Sequence, residues 1–277
     1  MSLQGKVAIV TGCGPNINGG IAYGLADAGA KVVCADVDRT FAEACAKAIG
    51  DRGGEALATV CDVTREDDVL SSLAAARKSF GAVDILVNGA VIQIRKGLLD
   101  VSLDEFRKQM DVCQTGAFLF TKHVAKAMIE DGRRGSIINI GSTEGHQGNP
   151  DNLGYGVAKG SLLHFTRIAA MDLAPYGIRV NSLSPTGTDP AEGLERAAQW
   201  GVNWRPALTE APRRDTSAGD QGIPLGRRPT PQDYANGVVF LASDDSGMVT
   251  GIDLRVDGGV ISRYWRWNPG TTIGPAD

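Results

Sequence analysis

Seven short runs rich in valine and isoleucine recur along the chain: Lys6–Thr11, Lys31–Asp36, Ala56–Cys61, Val83–Asn88, Ser136–Gly141, Ile178–Ser184 and Asp253–Val256. Their hydrophobicity is continuous rather than alternating, the pattern of strands covered on both faces, as parallel sheets are when crossover helices lie on each side. The stretches between them have helical period, most clearly Asp67–Ser79, Leu103–Ile129 and Tyr155–Leu173, and Gly81, Gly132, Pro175 and Gly177 stand near helix ends. This rhythm predicts an α/β chain built on a doubly wound parallel sheet of seven strands. Ligands are then expected outside the carboxyl ends of the strands.

The 277 residues contain no Pro/Ser-rich or single-charge linker, so one domain over residues 1–260 is expected. Residues 186–222 interrupt the rhythm after the sixth run, carry Trp200 and Trp204, and read as an insertion that covers a substrate. A tail, residues 261–277, follows the last run with Tyr264, Trp265 and Trp267. With 43% hydrophobic and 22% charged residues the chain can bury a sizeable core.

A formal charge of -4 leaves no broad basic field for a phosphate backbone, which argues against a nucleic-acid partner. The absence of a signal-peptide pattern and of any apolar run near the roughly 20 residues that span a bilayer predicts a cytoplasmic protein without membrane contact. Cys13, Cys34, Cys45, Cys61 and Cys113 are odd in number and lack CxxC spacing. They read as reduced, buried residues, and no metal site is expected from their spacing.

After the first strand comes a glycine-rich turn, Gly12, Cys13, Gly14, Pro15, Asn16, Ile17, Asn18, placed to aim backbone amides and a helix N-terminus at a pyrophosphate. The next strand ends in Asp36, where a carboxylate accepts hydrogen bonds from the adenosine ribose hydroxyls. That carboxylate would repel a 2′-phosphate, and residue 37 is valine rather than a basic residue, so NAD is expected over NADP. Tyr155 and Lys159 lie four apart in a helical stretch, on one face. A phenol with a pKa near about 10 is a poor base at neutral pH, and an adjacent ammonium favours the phenolate.

These motifs resemble those of the short-chain dehydrogenase/reductase family from Lys6 to about Gly259. The resemblance implies a Rossmann-type fold and hydride transfer between a nicotinamide cofactor and a secondary alcohol or ketone. It implies that Tyr155 is the proton carrier, that Lys159 also binds the nicotinamide ribose, and that Ser142, ending the fifth strand, holds the substrate oxygen. Asp62 and Val63 match the family's adenine-contacting pair. Pro185 and Thr188 match positions on the nicotinamide side, and a dimer or tetramer is implied. An enoyl-type reductase of carbon-carbon double bonds is an alternative, suggested by Ile21–Ala26.

The chain departs from the family at several places. In the TGxxxGxG loop, Asn16 and Asn18 replace the second and third glycines, and asparagine tolerates the positive φ such a turn could demand. Asn88, Gly89, Ala90, Val91 stand for NNAG, and Cys113 for an asparagine of the proton relay. These departures leave a second alternative, an NAD-binding protein with weakened catalysis. On the substrate side, Gln93, Glu144 and His146 are candidates for reading a polar substrate, with Trp200 a candidate apolar lid.

Overall fold

The computed structural model describes residues 1–204 and 222–263. All seven expected strands form: β1 (Val7–Thr11), β2 (Lys31–Asp36), β3 (Ala56–Val60), β4 (Ile85–Asn88), β5 (Ser136–Ile140), β6 (Arg179–Pro185) and β7 (Asp253–Val256). They pair parallel throughout in the order β3-β2-β1-β4-β5-β6-β7. The order turns back between β1 and β4, and that switch point opens a crevice at the carboxyl ends of these two strands.

Alternate residues of β1 feed two cores. Ala8 and Val10 face one cluster with Ile21 and Leu25 of α1 (Ile17–Asp27) and Tyr234 and Val238 of α8 (Pro231–Ala242). Val7 and Ile9 face the other, with Leu73 of α3 (Glu66–Phe80), Phe120 and Val124 of α5 (Gly116–Glu130) and Ala170 of α6 (Leu153–Leu173). Burial on both faces is what the continuous apolar runs require. The remaining helices are α2 (Arg39–Asp51), α4 (Leu103–Met110) and α7 (Ala191–Trp200). Both α4 and α8 open with capping boxes, Ser102 with Glu105 and Thr230 with Asp233, which fix where each begins.

The helix expected over Leu103–Ile129 is divided. Between α4 and α5, Asp111–Thr115 forms a wider turn in which the Gly116 N–H bonds the Asp111 carbonyl five residues back. Such π-bulges displace side chains from the regular helical stripe. Cys113 lies in this one, beside the expected catalytic residues.

The insertion contributes α7 and then passes outside the described residues at 205–221. The aromatic tail from residue 264 onward also lies outside them. Arg263 is described, and its guanidinium donates to the Gly222 carbonyl at 3.0 Å.

Candidate active site

The turn after β1 and the turn after β4 are bound together at the switch point. Thr11 Oγ1 accepts from the Gly89 and Ala90 amides at 3.0 and 3.2 Å. Asn18 Nδ2 donates to the Gly12 and Gly89 carbonyls at 2.9 and 2.8 Å. Gly12 takes φ 71°, and a Cβ there would stand 2.8 Å from Ala90 Cα, so only glycine fits the approach. Asn16, by contrast, has φ −85°, and Asp151 is the sole non-glycine residue with positive φ among the described residues. Tolerance of positive φ is therefore not why asparagine occupies positions 16 and 18. Asn18 is there as a double donor.

Asp36 ends β2 almost fully buried, its Oδ1 accepting the Asp38 amide at 2.9 Å. Burial pushes its carboxyl up to about 6, with the Asp38 amide bond pulling it partly back. Asp62 Oδ1 accepts from the Thr64 amide and hydroxyl at 3.0 and 2.7 Å, which fixes the turn that carries Val63. Asn88 Nδ2 donates to Thr121 Oγ1 at 3.0 Å and Asn139 Oδ1 at 2.8 Å, and Asn139 Nδ2 continues to Thr166 Oγ1 at 2.9 Å. This buried chain of amides ties β4, β5, α5 and α6 together, so Asn88 acts on the site through the backbone it holds. Pro185 ends β6, and Thr188 Oγ1 bonds the Thr186 carbonyl at 3.1 Å.

A dinucleotide fits these residues. The crevice offers a buried carboxylate at the end of β2 and a glycine turn that a Cβ at residue 12 would drive into Ala90.

The catalytic candidates converge one strand further on. Ser142 follows β5 and is buried, its Oγ accepting the Glu144 amide at 3.1 Å. Ser142 stands near enough to the Tyr155 phenol to draw its pKa down. The Lys159 ammonium sits 5.7 Å from the centroid of the Tyr155 ring and donates to the Ile140 carbonyl at 2.6 Å. Lys159 is fully buried, which lowers the affinity of its amine for the proton. The Tyr155 phenol is pushed well above its ordinary value, burial being the largest cause and Glu144 and Cys113 adding to it. Ser142 and the charge of Arg95 oppose this. From the sequence, the adjacent ammonium is expected to favour the phenolate; burial is the largest influence on Tyr155 here, and it favours the neutral phenol. One of the three ammonium donors is spent on Ile140, and two are left for other partners.

Several substrate-side expectations resolve differently. Glu144 lies close enough to act on Tyr155, and its Oε2 accepts Asn152 Nδ2 at 2.5 Å. His146 turns to the sheet edge instead, where Nε2 pairs with Asp253 Oδ2 at 2.8 Å while Asp253 Oδ1 accepts from Ser182 and Ser184 at 2.6 and 2.9 Å. Trp200 packs on α1, covering Gly19 and donating Nε1–H to Tyr23 Oη at 2.7 Å. It belongs to the packing of α7, not to the surroundings of Ser142 and Tyr155. Gln93 is half-buried in the loop after β4.

Cys113 Sγ lies 3.8 Å from the Ile92 carbonyl, and Gln114 is no replacement for an amide there, because its Oε1 already accepts from Ser161. Three residues were not legible as site residues in the sequence. Arg95 and Asn152 sit on loops with no motif. Arg196 of α7 is buried and donates to the Pro15 and Asn16 carbonyls at 2.6 and 3.3 Å, clamping the helix onto the glycine-rich turn.

A doubly wound sheet with a dinucleotide crevice beside a Ser-Tyr-Lys constellation defines a nicotinamide-dependent oxidoreductase of the short-chain type. Residues 15–261 match the family described as Enoyl-(Acyl carrier protein) reductase. A 2,5-dichloro-2,5-cyclohexadiene-1,4-diol dehydrogenase of Sphingobium indicum is 38% identical over 258 residues, 93% of this chain and 97% of the relative. Among solved structures, NAD+-bound xylitol dehydrogenase superposes with a TM-score of 0.82 at 33% identity, covering 94% of this chain and 100% of that one. A short-chain type dehydrogenase/reductase from Mycobacterium marinum gives 0.81 at 33%, covering 95% and 97%. The chain belongs to the short-chain dehydrogenase/reductase family.

Proposed function

We propose that the protein is an NAD-dependent dehydrogenase of secondary alcohols, acting on a diol or polyol in the cytoplasm as a homo-oligomer. The observation that carries this reading is the convergence of Ser142, Tyr155 and Lys159 at the end of β5, beside a crevice whose ribose side ends in Asp36. The preference for NAD rests on that buried carboxylate and on Val37, neither of which accommodates a 2′-phosphate. The diol or polyol class is supported by the polar wall of Glu144, Asn152 and Arg95, and by the substrates for which the similar diol and xylitol dehydrogenases are named.

When bound, the nicotinamide would supply the hydride acceptor. Gly12, Asn16, Ile17 and Asn18 would face the pyrophosphate, Asp36 the adenosine ribose, and Asp62 and Val63 the adenine. Ala90, Pro185 and Thr188 would lie toward the nicotinamide, with Asn88 supporting Ala90. Ser142 holds the substrate hydroxyl and Tyr155 Oη takes its proton. Lys159, with two donors left, steadies the ribose and the phenolate that forms. Glu144 reads a second hydroxyl of the substrate.

The apolar groove between α5 and α6, lined by Phe118, Ala125, Ile129, Phe165 and Leu173, supports self-association. No helix among the described residues is long and apolar enough to cross a membrane. Residues 1–260 act as one unit in this reading, with α7 of the insertion at 186–222 beside the glycine-rich turn and the tail at 261–277 a separate segment of the sequence.

The test is NADH formation with a panel of cyclic diols, polyols and aryl alcohols, each run with NAD and NADP. NAD-dependent turnover of a diol or polyol is expected, and activity confined to NADP would refute the cofactor assignment. Enoyl reduction is a second reading because the matched family carries that description. Reduction of an enoyl thioester without any alcohol oxidation would favour it.

A further inference from the structure

Three of the five cysteines meet in one place. Cys13 from the glycine-rich turn, Cys34 from β2 and Cys45 from α2 place their Sγ atoms within 4.8 Å of one another. All three are fully buried, in the same core cluster as Ile21, Leu25 and Ile49. Cys61 and Cys113 are also free and buried but lie outside this group. We propose that Cys13, Cys34 and Cys45 form a binding site for a single soft d10 metal ion held by three sulfurs, Cu(I) being the ion that suits it.

The geometry decides the class of ion. At a metal-sulfur distance of about 2.3 Å, three sulfurs around a central ion stand about 4 Å apart, so closing the trio requires at most about 0.8 Å of movement per pair. Structural zinc almost always takes four ligands in a tetrahedron. No fourth histidine, cysteine, aspartate or glutamate joins the group among the described residues. Thiolates select Cu(I) among the first-row ions, and a three-sulfur set without a fourth ligand suits it. Binding exchanges thiol protons for the metal. Each sulfur that becomes a thiolate ligand releases one proton to solvent, and no electron is transferred.

The trio is wired to the dinucleotide crevice. Cys13 lies between Gly12 and Gly14, and its thiol donates to the Val10 carbonyl at 3.0 Å. Cys34 is two residues before Asp36 on the same strand. Drawing Cys13 toward a metal moves the backbone that the turn presents to a pyrophosphate. Metal and dinucleotide then oppose each other, each weakening the other by the same factor. This coupling rests on the dinucleotide reading above, whereas the metal site itself does not.

The experiment uses the reduced full-length protein without oxygen, titrated with Cu(I) against a competing chelator, with bound copper measured after desalting. One equivalent is expected, accompanied by sulfur-to-metal charge-transfer absorption, and it persists in the Cys61→Ala/Cys113→Ala double variant. Loss of copper in Cys34→Ala and in Cys45→Ala is expected. Pulse alkylation of the wild-type protein with and without copper identifies the ligands even where those variants do not fold. Protection confined to Cys13, Cys34 and Cys45 supports the site. No bound copper, or copper retained on Cys61 or Cys113, overturns it. Copper-loaded protein should bind NAD about 5- to 150-fold more weakly, the span of coupled sites. Unchanged NAD affinity overturns the coupling alone, and failure of the metal-free protein to bind NAD refutes the dinucleotide reading instead.

Discussion

Asn18 and Gly89 are a matched pair: the Asn18 amide donates to the Gly89 carbonyl, and a Cβ at residue 89 would stand 2.5 Å from Asn18 Oδ1. The family pattern has glycine where residue 18 is asparagine, and asparagine where residue 89 is glycine. The two departures are therefore one exchange across the switch point, with the amide now rooted in α1 instead of the turn after β4. Gly89→Asn alone should destabilise the fold by about 1–3 kcal/mol through overpacking. Asn18→Gly alone should cost about 1–3 kcal/mol by stranding two carbonyls. The double variant should recover most of both losses. Denaturant unfolding of the four proteins checks this, and simple additivity would show that the positions are independent.

The carboxyl of Asp36, pushed up to about 6 by burial, makes stability depend on pH, and in the proposed reading cofactor affinity as well. A raised carboxyl favours the folded state fully below its unfolded value of about 4, and that contribution is lost as pH rises through about 6. If Asp36 holds the adenosine ribose as proposed, affinity for NAD runs the opposite way, because only the ionised form accepts from both ribose hydroxyls. Calorimetric titration should show NAD binding strengthening as pH rises through about 6. Asp36→Asn should flatten that profile, and Asp36→Ala should weaken NAD more than NADP.

Tyr155→Phe should lower kcat by about 10²- to 10⁴-fold, the usual span for a lost general acid-base, with NAD affinity nearly intact. Because burial holds the phenol above its ordinary range, alcohol oxidation by the wild type should rise with pH with no plateau below about 10. A plateau near neutrality in steady-state rates would mean that another group sets the proton step.

Cys113 occupies the bulge where the family places an amide, 3.8 Å from the Ile92 carbonyl. Cys113→Asn would put an N–H donor beside that carbonyl and leave an acceptor for water near Lys159. Turnover should rise severalfold, read as kcat at saturating NAD. No change would show that this chain relays protons by another route.

The strands were legible because burial on both faces writes itself as unbroken apolar runs, from Val7–Thr11 through Asp253–Val256. The motif residues were legible because the chemistry fixes their spacing, as with Tyr155 and Lys159 on one face of α6. What the sequence concealed were choices made by tertiary contact. A histidine four residues after Ser142 can face the cleft or the sheet edge, and Asp253, more than a hundred residues away, draws His146 to the edge. Trp200 looks like a lid until Tyr23 offers it a hydrogen bond on α1. The bulge at Asp111–Thr115 leaves no local signature, because the apolar period continues through it.

The carboxylate of Asp253 gathers His146, Ser182 and Ser184 from two neighbouring segments. That places the anchor for the turn after Ser142 on β7, more than a hundred residues further along the chain. A chain whose β7 has not yet joined the sheet leaves that turn unmoored on one side, so the backbone around Ser142 takes its final shape only when β7 docks against β6.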